Sequence, residues 1–229
     1  MGIWKNDEEL FSLMKKELFS AVIGDVLDAM ERYHQFLPPY LKPLEDSMVA
    51  AGRAMTVLET DTVQKEYKGK NPVLAQPFGL MLDALDDLKE HEIYLCTGAS
   101  LRYALWGELM STRAKKLGAA GAVLNGYSRD TKGILQQNFP TFSLGRYAQD
   151  QAPRGKVIDY RVPLDIDGVF IEPGDIVFGD LDGVVVVPKS IEKEVVERAL
   201  EKARGEKEVE KSIKNGMTAK AAFEKHGIM

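Results

Sequence analysis

Trp106-Gly-Glu-Leu-Met-Ser-Thr-Arg-Ala-Lys-Lys-Leu-Gly-Ala-Ala-Gly-Ala-Val-Leu-Asn-Gly-Tyr-Ser-Arg-Asp130 is the stretch around which the rest of the chain is organised. Its hydrophobic period changes once. Leu109, Met110, Ala114 and Leu117 recur at steps of one, three and four, the spacing of a helix with one buried face, and Gly118 stands where such a helix should stop. Gly121-Ala122-Val123-Leu124 then runs small and apolar, as expected of a strand covered on both faces, until Asn125-Gly126 breaks it. Upstream, Ile93-Tyr94-Leu95-Cys96-Thr97 reads as another strand, closed by Gly98-Ala99-Ser100. Strand, loop, helix and strand in that order predict a right-handed parallel crossover.

That geometry has a chemical consequence. Gly107, Glu108, Leu109 and Met110 fall in the opening turn of the helix, where backbone N–H groups lack intrahelical partners and the dipole is positive, so a carboxylate can be held there. Arg129 and Asp130 follow the carboxyl end of the second strand, where open α/β sheets bind ligands. The two ends should meet in one pocket holding anion-binding amides, a guanidinium that can grip a carboxylate or keto oxygen, and two carboxylates, Glu108 and Asp130. Oxygen donors with room for water suit magnesium or manganese. Spacing alone also admits a plainer reading, in which Arg129-Asp130 is a solvated ion pair and Glu108 merely complements the helix dipole.

The run Trp-Gly-Glu-Leu-Met, followed by Ala114, Gly118, Gly121, Asn125-Gly126 and Arg129-Asp130, resembles the core of the RraA-like family, which includes the regulator of ribonuclease E activity and the class II 4-hydroxy-4-methyl-2-oxoglutarate aldolases. A second block agrees: Pro163, Gly168-Val169, Pro173-Gly174-Asp175, and Gly179-Asp180-Leu181-Asp182-Gly183-Val184-Val185-Val186-Val187-Pro188. Weaker similarity runs from Ser20-Ala21 through Asp25 and Asp28 to Gly52-Arg53-Ala54. The resemblance implies a pyruvate-enolate lyase that uses a divalent metal, with Arg129 and Asp130 catalytic, Glu108 acting through water, and the Gly107–Met110 amides on the substrate carboxylate. Glu108 stands where the aldolases carry Asp, so a carboxylate is kept but lengthened. A C-terminal Glu from a neighbouring subunit completes the site in the family; Glu208 is the candidate here, with Glu206 as the alternative. Homotrimers or hexamers, a 2-keto acid substrate and a swivelling β/β/α architecture follow from the same resemblance. So does a competing role, since family members also include non-catalytic proteins that bind and inhibit a ribonuclease.

The remaining sequence frames this core as a single 1–229 domain, α/β in class, with a mixed central sheet flanked by helices. Its 45% hydrophobic and 28% charged residues are those of an ordinary soluble protein. A net charge of −5 argues against bulk attraction to nucleic acid or an anionic membrane. The lone Cys96 excludes an internal disulfide and suits a reducing cytoplasm. No signal peptide or membrane-spanning run is apparent. Residues 1–45 supply two helices between Asp7 and Tyr33 and a proline-held connector, Phe36 to Pro43, that opens the sheet. Asp25 and Asp28 are read as solvated.

Gly52 to Glu59 reads as a strand. Thr60 to Phe78 reads as a loop whose Lys65, Lys68 and Lys70 could attract carboxylates near the site mouth or simply be solvated, and Gly79 to Leu88 as a helix. His91-Glu92 lacks the second His of a zinc-protease motif. A short strand is expected at Pro140–Ser143. Beyond Val157, strands are expected around Arg161-Val162-Pro163, Val169–Ile171, Ile176–Phe178 and Val184–Val187, joined by turns at Pro173-Gly174 and Asp182-Gly183. The 190–229 extension should begin with a helix over Ile191–Asn215, capped by Ser190 and ended by Gly216.

Overall fold

The computed structural model describes residues 3–62 and 67–228. Two helices, α1 (Asp7–Glu17) and α2 (Ser20–Ala29), open the chain, with the Asn6 side chain accepting from the Glu9 N–H to cap the first. The strands are β1 (Lys42–Pro43), β2 (Ala50–Asp61), β3 (Glu92–Thr97), β4 (Ala104–Trp106), β5 (Gly121–Ser128), β6 (Thr141–Arg146), β7 (Gly155–Tyr160), β8 (Leu164–Ile166), β9 (Val169–Ile171), β10 (Ile176–Gly179) and β11 (Val184–Val187). Between them lie α3 (Pro72–Ala75), α4 (Met81–Asp86), α5 (Glu108–Lys116) and α6 (Thr131–Gln136), and the chain ends with α7 (Glu192–Lys214) and α8 (Ala219–His226).

Mixed topology is the outcome. Strands β2, β3, β5 and β6 run parallel, while β10 and β7 pair antiparallel with β2, and β11 with β10. The proline connector bridges the two ends. Leu37 N–H donates to the Val184 carbonyl and Val186 N–H to that of Gln35, while β1 pairs with β6. A sheet ordered β1-β6-β5-β3-β2-β10-β11 is thereby nearly closed.

Period-2 alternation sorts the side chains. Ala54, Ile93, Leu95, Val123, Phe142, Val184 and Val186 face inward, where the β8–β9 hairpin adds Leu164, Ile166, Val169 and Ile171. Outward, Met55, Val57, Tyr94, Cys96 and Leu124 are covered by α4, α5 and α6, whereas Ile176, Phe178, Val185 and Val187 are covered by α1, α2 and α7. All four valines of β11 are therefore buried, two on each face.

Several local expectations fail. Asn125-Gly126 does not end β5, which pairs onward to Ser128 beside β4 and β6. Leu109 is exposed, so α5 buries Ser111 and Ala114 instead. A short helix, α3, interrupts the stretch read as a loop. Arg161-Val162-Pro163 is a connection, not a strand: β7 ends at Tyr160, and Arg161 adopts φ 55°. Its guanidinium is drawn sideways to Asp87 and Glu92, which a sequence pattern does not encode. Ser190 is no N-cap. It lies inside a 3-10 turn, Lys189–Ile191, and α7 begins at Glu192 with no side-chain cap. Asp175 holds that turn instead, accepting the Lys189 N–H at 2.8 Å. No helix among the described residues is long and apolar enough to cross a membrane.

Candidate active site

Strand β4 joins the two ends of the opening stretch. It pairs with the last residues of β5, Ala104 with Tyr127 and Trp106 with Ser128, and the Arg129 N–H donates to the Trp106 carbonyl at 2.9 Å. Gly107 thus leaves β4 beside Arg129-Asp130 leaving β5. Three residues are too few to show a period, so the sequence presents this strand as loop.

Gly107 is needed for a close approach. A Cβ there would stand 2.8 Å from Asp130 Oδ2 and 3.6 Å from Arg129 Cγ. Asp130 occupies the left-handed region at φ 53°, which Asp tolerates better than most residues. Its side chain does not cap α6 but turns its carboxylate onto Gly107. Across the seam, Glu108 fills the space left by Gly133, where a Cβ would collide with the Glu108 carboxyl carbon.

A cavity of about 310 Å³ opens at this junction. Phe78, Met81, Leu82 and Leu85 give it an apolar wall, Leu105 and Trp106 line it further, and Gly107, Leu109, Met110, Arg129 and Asp130 bring the expected polar groups. Glu108, exposed at the start of α5, is not on the cavity wall. Two residues of the 149–154 loop, Asp150 and Gln151, are. Arg129 Nη2 lies 3.2 Å from Asp150 Oδ1, and its Nε lies 3.8 Å from Asp130 Oδ2. Asp150 carried no local signal in the sequence, because only the return of that loop beside β4, where the Ala104 N–H donates to the Gln149 carbonyl, brings it to Arg129.

No side chain caps α5. Its first helical bond is accepted by the Gly107 carbonyl from Ser111, so the Glu108, Leu109 and Met110 amides lack intrahelical partners, and Leu109 and Met110 line the cavity. Of the two carboxylates expected to hold a metal, Asp130 lies on the cavity wall, while Glu108 packs over Gly133 outside it. Among the described residues, no three His, Cys, Asp or Glu side chains gather as a metal cage. Such a donor set fits a hard cation that keeps several waters better than a zinc site.

Other expected residues lie elsewhere. Glu208 and Glu206 sit on α7, in the layer with α1 and α2. Lys68 lines a separate cavity with Asp61 and Lys156, Lys70 is exposed, and Lys65 lies outside the described residues. Asp25 pairs with Lys202 at 2.7 Å and Asp28 is exposed, as solvated acids should be.

Behind the cavity wall is an acid that was not singled out from sequence. Glu59 is 2% exposed and accepts from Gln151 Nε2 at 2.7 Å, with Cys96 Sγ at 3.6 Å. Burial pushes its carboxyl up to about 8, against hydrogen bonds from Cys96 and Gln151. Its neighbour Asp61 goes the other way. Partial burial would raise it, but the Ser100 N–H and the Arg102 and Tyr103 side chains hold it at about 2. Cys96 is fully buried, and burial drives its thiol well above the usual range, so it is not a nucleophile at neutral pH. A clue was available: in β2, Glu59 shares the face of Met55 and Val57, so alternation alone places it inside.

With these features in place, the chain is seen to belong to the RraA-like family: the Aldolase/RraA family model matches residues 21–186. It is 32% identical over 205 residues to a provisionally named 4-hydroxy-4-methyl-2-oxoglutarate aldolase of Halalkalibacterium halodurans, covering 88% of this chain and 87% of that protein. It is 30% identical over 206 residues to protein DlpA of Legionella pneumophila, covering 90% of this chain but spanning only 32% of DlpA. The fold matches the crystal structure of Streptomyces coelicolor RraAS2, described as an unusual member of the RNase ES inhibitor RraA family. The TM-score is 0.75 at 22% identity, over 89% of this chain and 97% of that one.

Proposed function

We propose that this protein is a divalent-metal-dependent lyase that cleaves 4-hydroxy-2-keto acids of the 4-hydroxy-4-methyl-2-oxoglutarate type to pyruvate, and decarboxylates oxaloacetate through the same enolate. The observation that carries it is the contact of Asp130 with Gly107 at the mouth of a cavity into which Arg129 projects. A 2-keto acid would set its carboxylate on the Leu109 and Met110 amides at the helix N-terminus. Arg129 would then lie against the keto oxygen and stabilise the negative charge that grows there as the bond between C3 and C4 breaks. The electron pair of that bond passes to C3 as the enolate, the C4 hydroxyl gives its proton to water, C4 becomes a carbonyl, and the enolate takes a proton from water at C3 to leave pyruvate. In oxaloacetate, carbon dioxide leaves instead and the same enolate remains. The apolar wall from Phe78 to Leu85 would limit the access of water to the carbanion.

Asp130, with Glu108 through a water, would hold magnesium or manganese, and Glu208 of a second copy is the candidate further ligand in a cytoplasmic trimer or hexamer. When bound, the cation would supply Lewis-acid polarisation of the keto oxygen. The test is pyruvate release from 4-hydroxy-4-methyl-2-oxoglutarate and from oxaloacetate, with magnesium and after chelation. Metal-dependent release from either substrate supports the reading. No release from either with metal present overturns it, and favours the non-catalytic, ribonuclease-binding alternative.

A further inference from the structure

Neighbouring residues of the 149–154 loop both line the cavity but have different partners. Asp150 reaches Arg129 in the cavity, while Gln151, 5% exposed, turns inward and gives its Nε2 to Glu59. Backbone bonds fix the rest of this loop: Ala104 N–H to the Gln149 carbonyl, and Arg154 and Gly155 N–H to that of Gln151. Among these anchors, the Glu59 carboxyl is the acceptor that can change charge. Around it stand Cys96, Tyr94, Asp61, Gln151 and Tyr103, whose hydroxyl donates to Asp61 at 2.9 Å. None is a cation. Lys156, on the adjoining β7, spends its ammonium on the Leu74 and Gln76 carbonyls, and Arg102 is engaged by Asp61. An ionised Glu59 would have to draw in water or swing away, and Gln151 would go with it.

We propose that Glu59 is a positioning residue for the candidate site: its buried carboxyl pins Gln151, and through that adjoining residue it sets Asp150 against Arg129. Its activity readout rests on the lyase reading above, so a second readout independent of turnover is included.

The experiment compares wild type with Glu59→Gln, which keeps an acceptor for Gln151 but does not ionise, and with Glu59→Ala, which keeps none. Pyruvate release is followed from pH 7 to pH 9, and hydrogen exchange of residues 147–155 is measured at both ends and corrected for intrinsic rates. Wild-type kcat is expected to fall about tenfold by pH 9, while Glu59→Gln stays within about twofold of its neutral value. Glu59→Ala is expected to lose roughly ten- to hundredfold in kcat at every pH with little change in KM, as for a slightly misplaced catalytic group. At pH 9 the loop should exchange faster in wild type than in Glu59→Gln. Equal pH profiles and equal exchange in wild type and Glu59→Gln, or full kcat in a folded Glu59→Ala, overturn the proposal. If the loop loosens as described but no pyruvate forms with any protein, the positioning role stands and the lyase reading falls.

Discussion

Replacing Glu59 by Gln should stabilise this protein, and by an amount that depends on pH. Glu59 is buried without a cation, and its carboxyl is raised from an ordinary 4.5 to about 8. Below pH 4.5 both folded and unfolded chains hold the proton and the acid costs nothing. Between pH 4.5 and 8 the unfolded chain releases it and the folded chain does not, so stability falls across that window and levels off above it. At about 1.36 kcal/mol per pH unit, the full cost is roughly 5 kcal/mol. Glutamine keeps the shape and does not titrate, so subtracting one protein from the other cancels all the unrelated carboxylates. Urea unfolding at pH 5 and pH 8 should show Glu59→Gln gaining several kcal/mol over wild type at the higher pH and little at the lower. For a chain of this size each kcal/mol moves the melting temperature by about 2–4 °C, so the difference at pH 8 should reach roughly 10 °C. The same stability difference at both pH values would refute the reasoning, because it would mean that Glu59 is already charged in the folded state.

Gly107→Ala puts a methyl group 2.8 Å from Asp130 Oδ2, and ordinary contact needs at least 3.4 Å. The carboxylate should yield by about 0.6 Å at little cost in stability, while kcat for pyruvate release falls roughly ten- to hundredfold; a variant that melts like wild type and turns over normally contradicts the close approach. Arg53 is bound by Asp7 at 2.6 and 2.9 Å and by Glu192, tying the starts of α1 and α7 to β2. Arg53→Ala, which leaves two partly exposed carboxylates without their cation, should destabilise by roughly 2 kcal/mol in urea unfolding without altering KM, since the pair lies under the opposite helical layer from the cavity.

How far the sequence could be read depended on the length over which each signal repeats. The existence of α5, the apolar first half of β5 and the buried β11 with its four valines were legible, but the continuation of β5 through Asn125-Gly126 and the exposure of Leu109 were not, because pairing with β4 and β6 and the placement of α5 are set by tertiary contacts. Strand β4, at three residues, has no period to read, yet it brings Gly107 to Asp130. Arg129, Asp130 and the opening turn of α5 could be named because adjacent elements in a parallel crossover place their ends together. Asp150 and Gln151 could not, because a loop's return path is set by tertiary contacts such as Ala104 to Gln149. Glu108 shows the limit of naming by position: it lies at the expected place in the chain, but its side chain packs over Gly133 outside the cavity wall. Ser190 failed as a cap because Asp175, fifteen residues earlier in the chain, satisfies the turn in its place.

The most direct test is the rate of pyruvate release by Arg129→Ala, measured beside wild type with magnesium on both oxaloacetate and 4-hydroxy-4-methyl-2-oxoglutarate. Losing the guanidinium that faces the developing enolate should lower kcat/KM by about a hundredfold or more, with melting temperature little changed because Arg129 is about a third exposed. Equal rates for the folded variant and wild type would contradict the account.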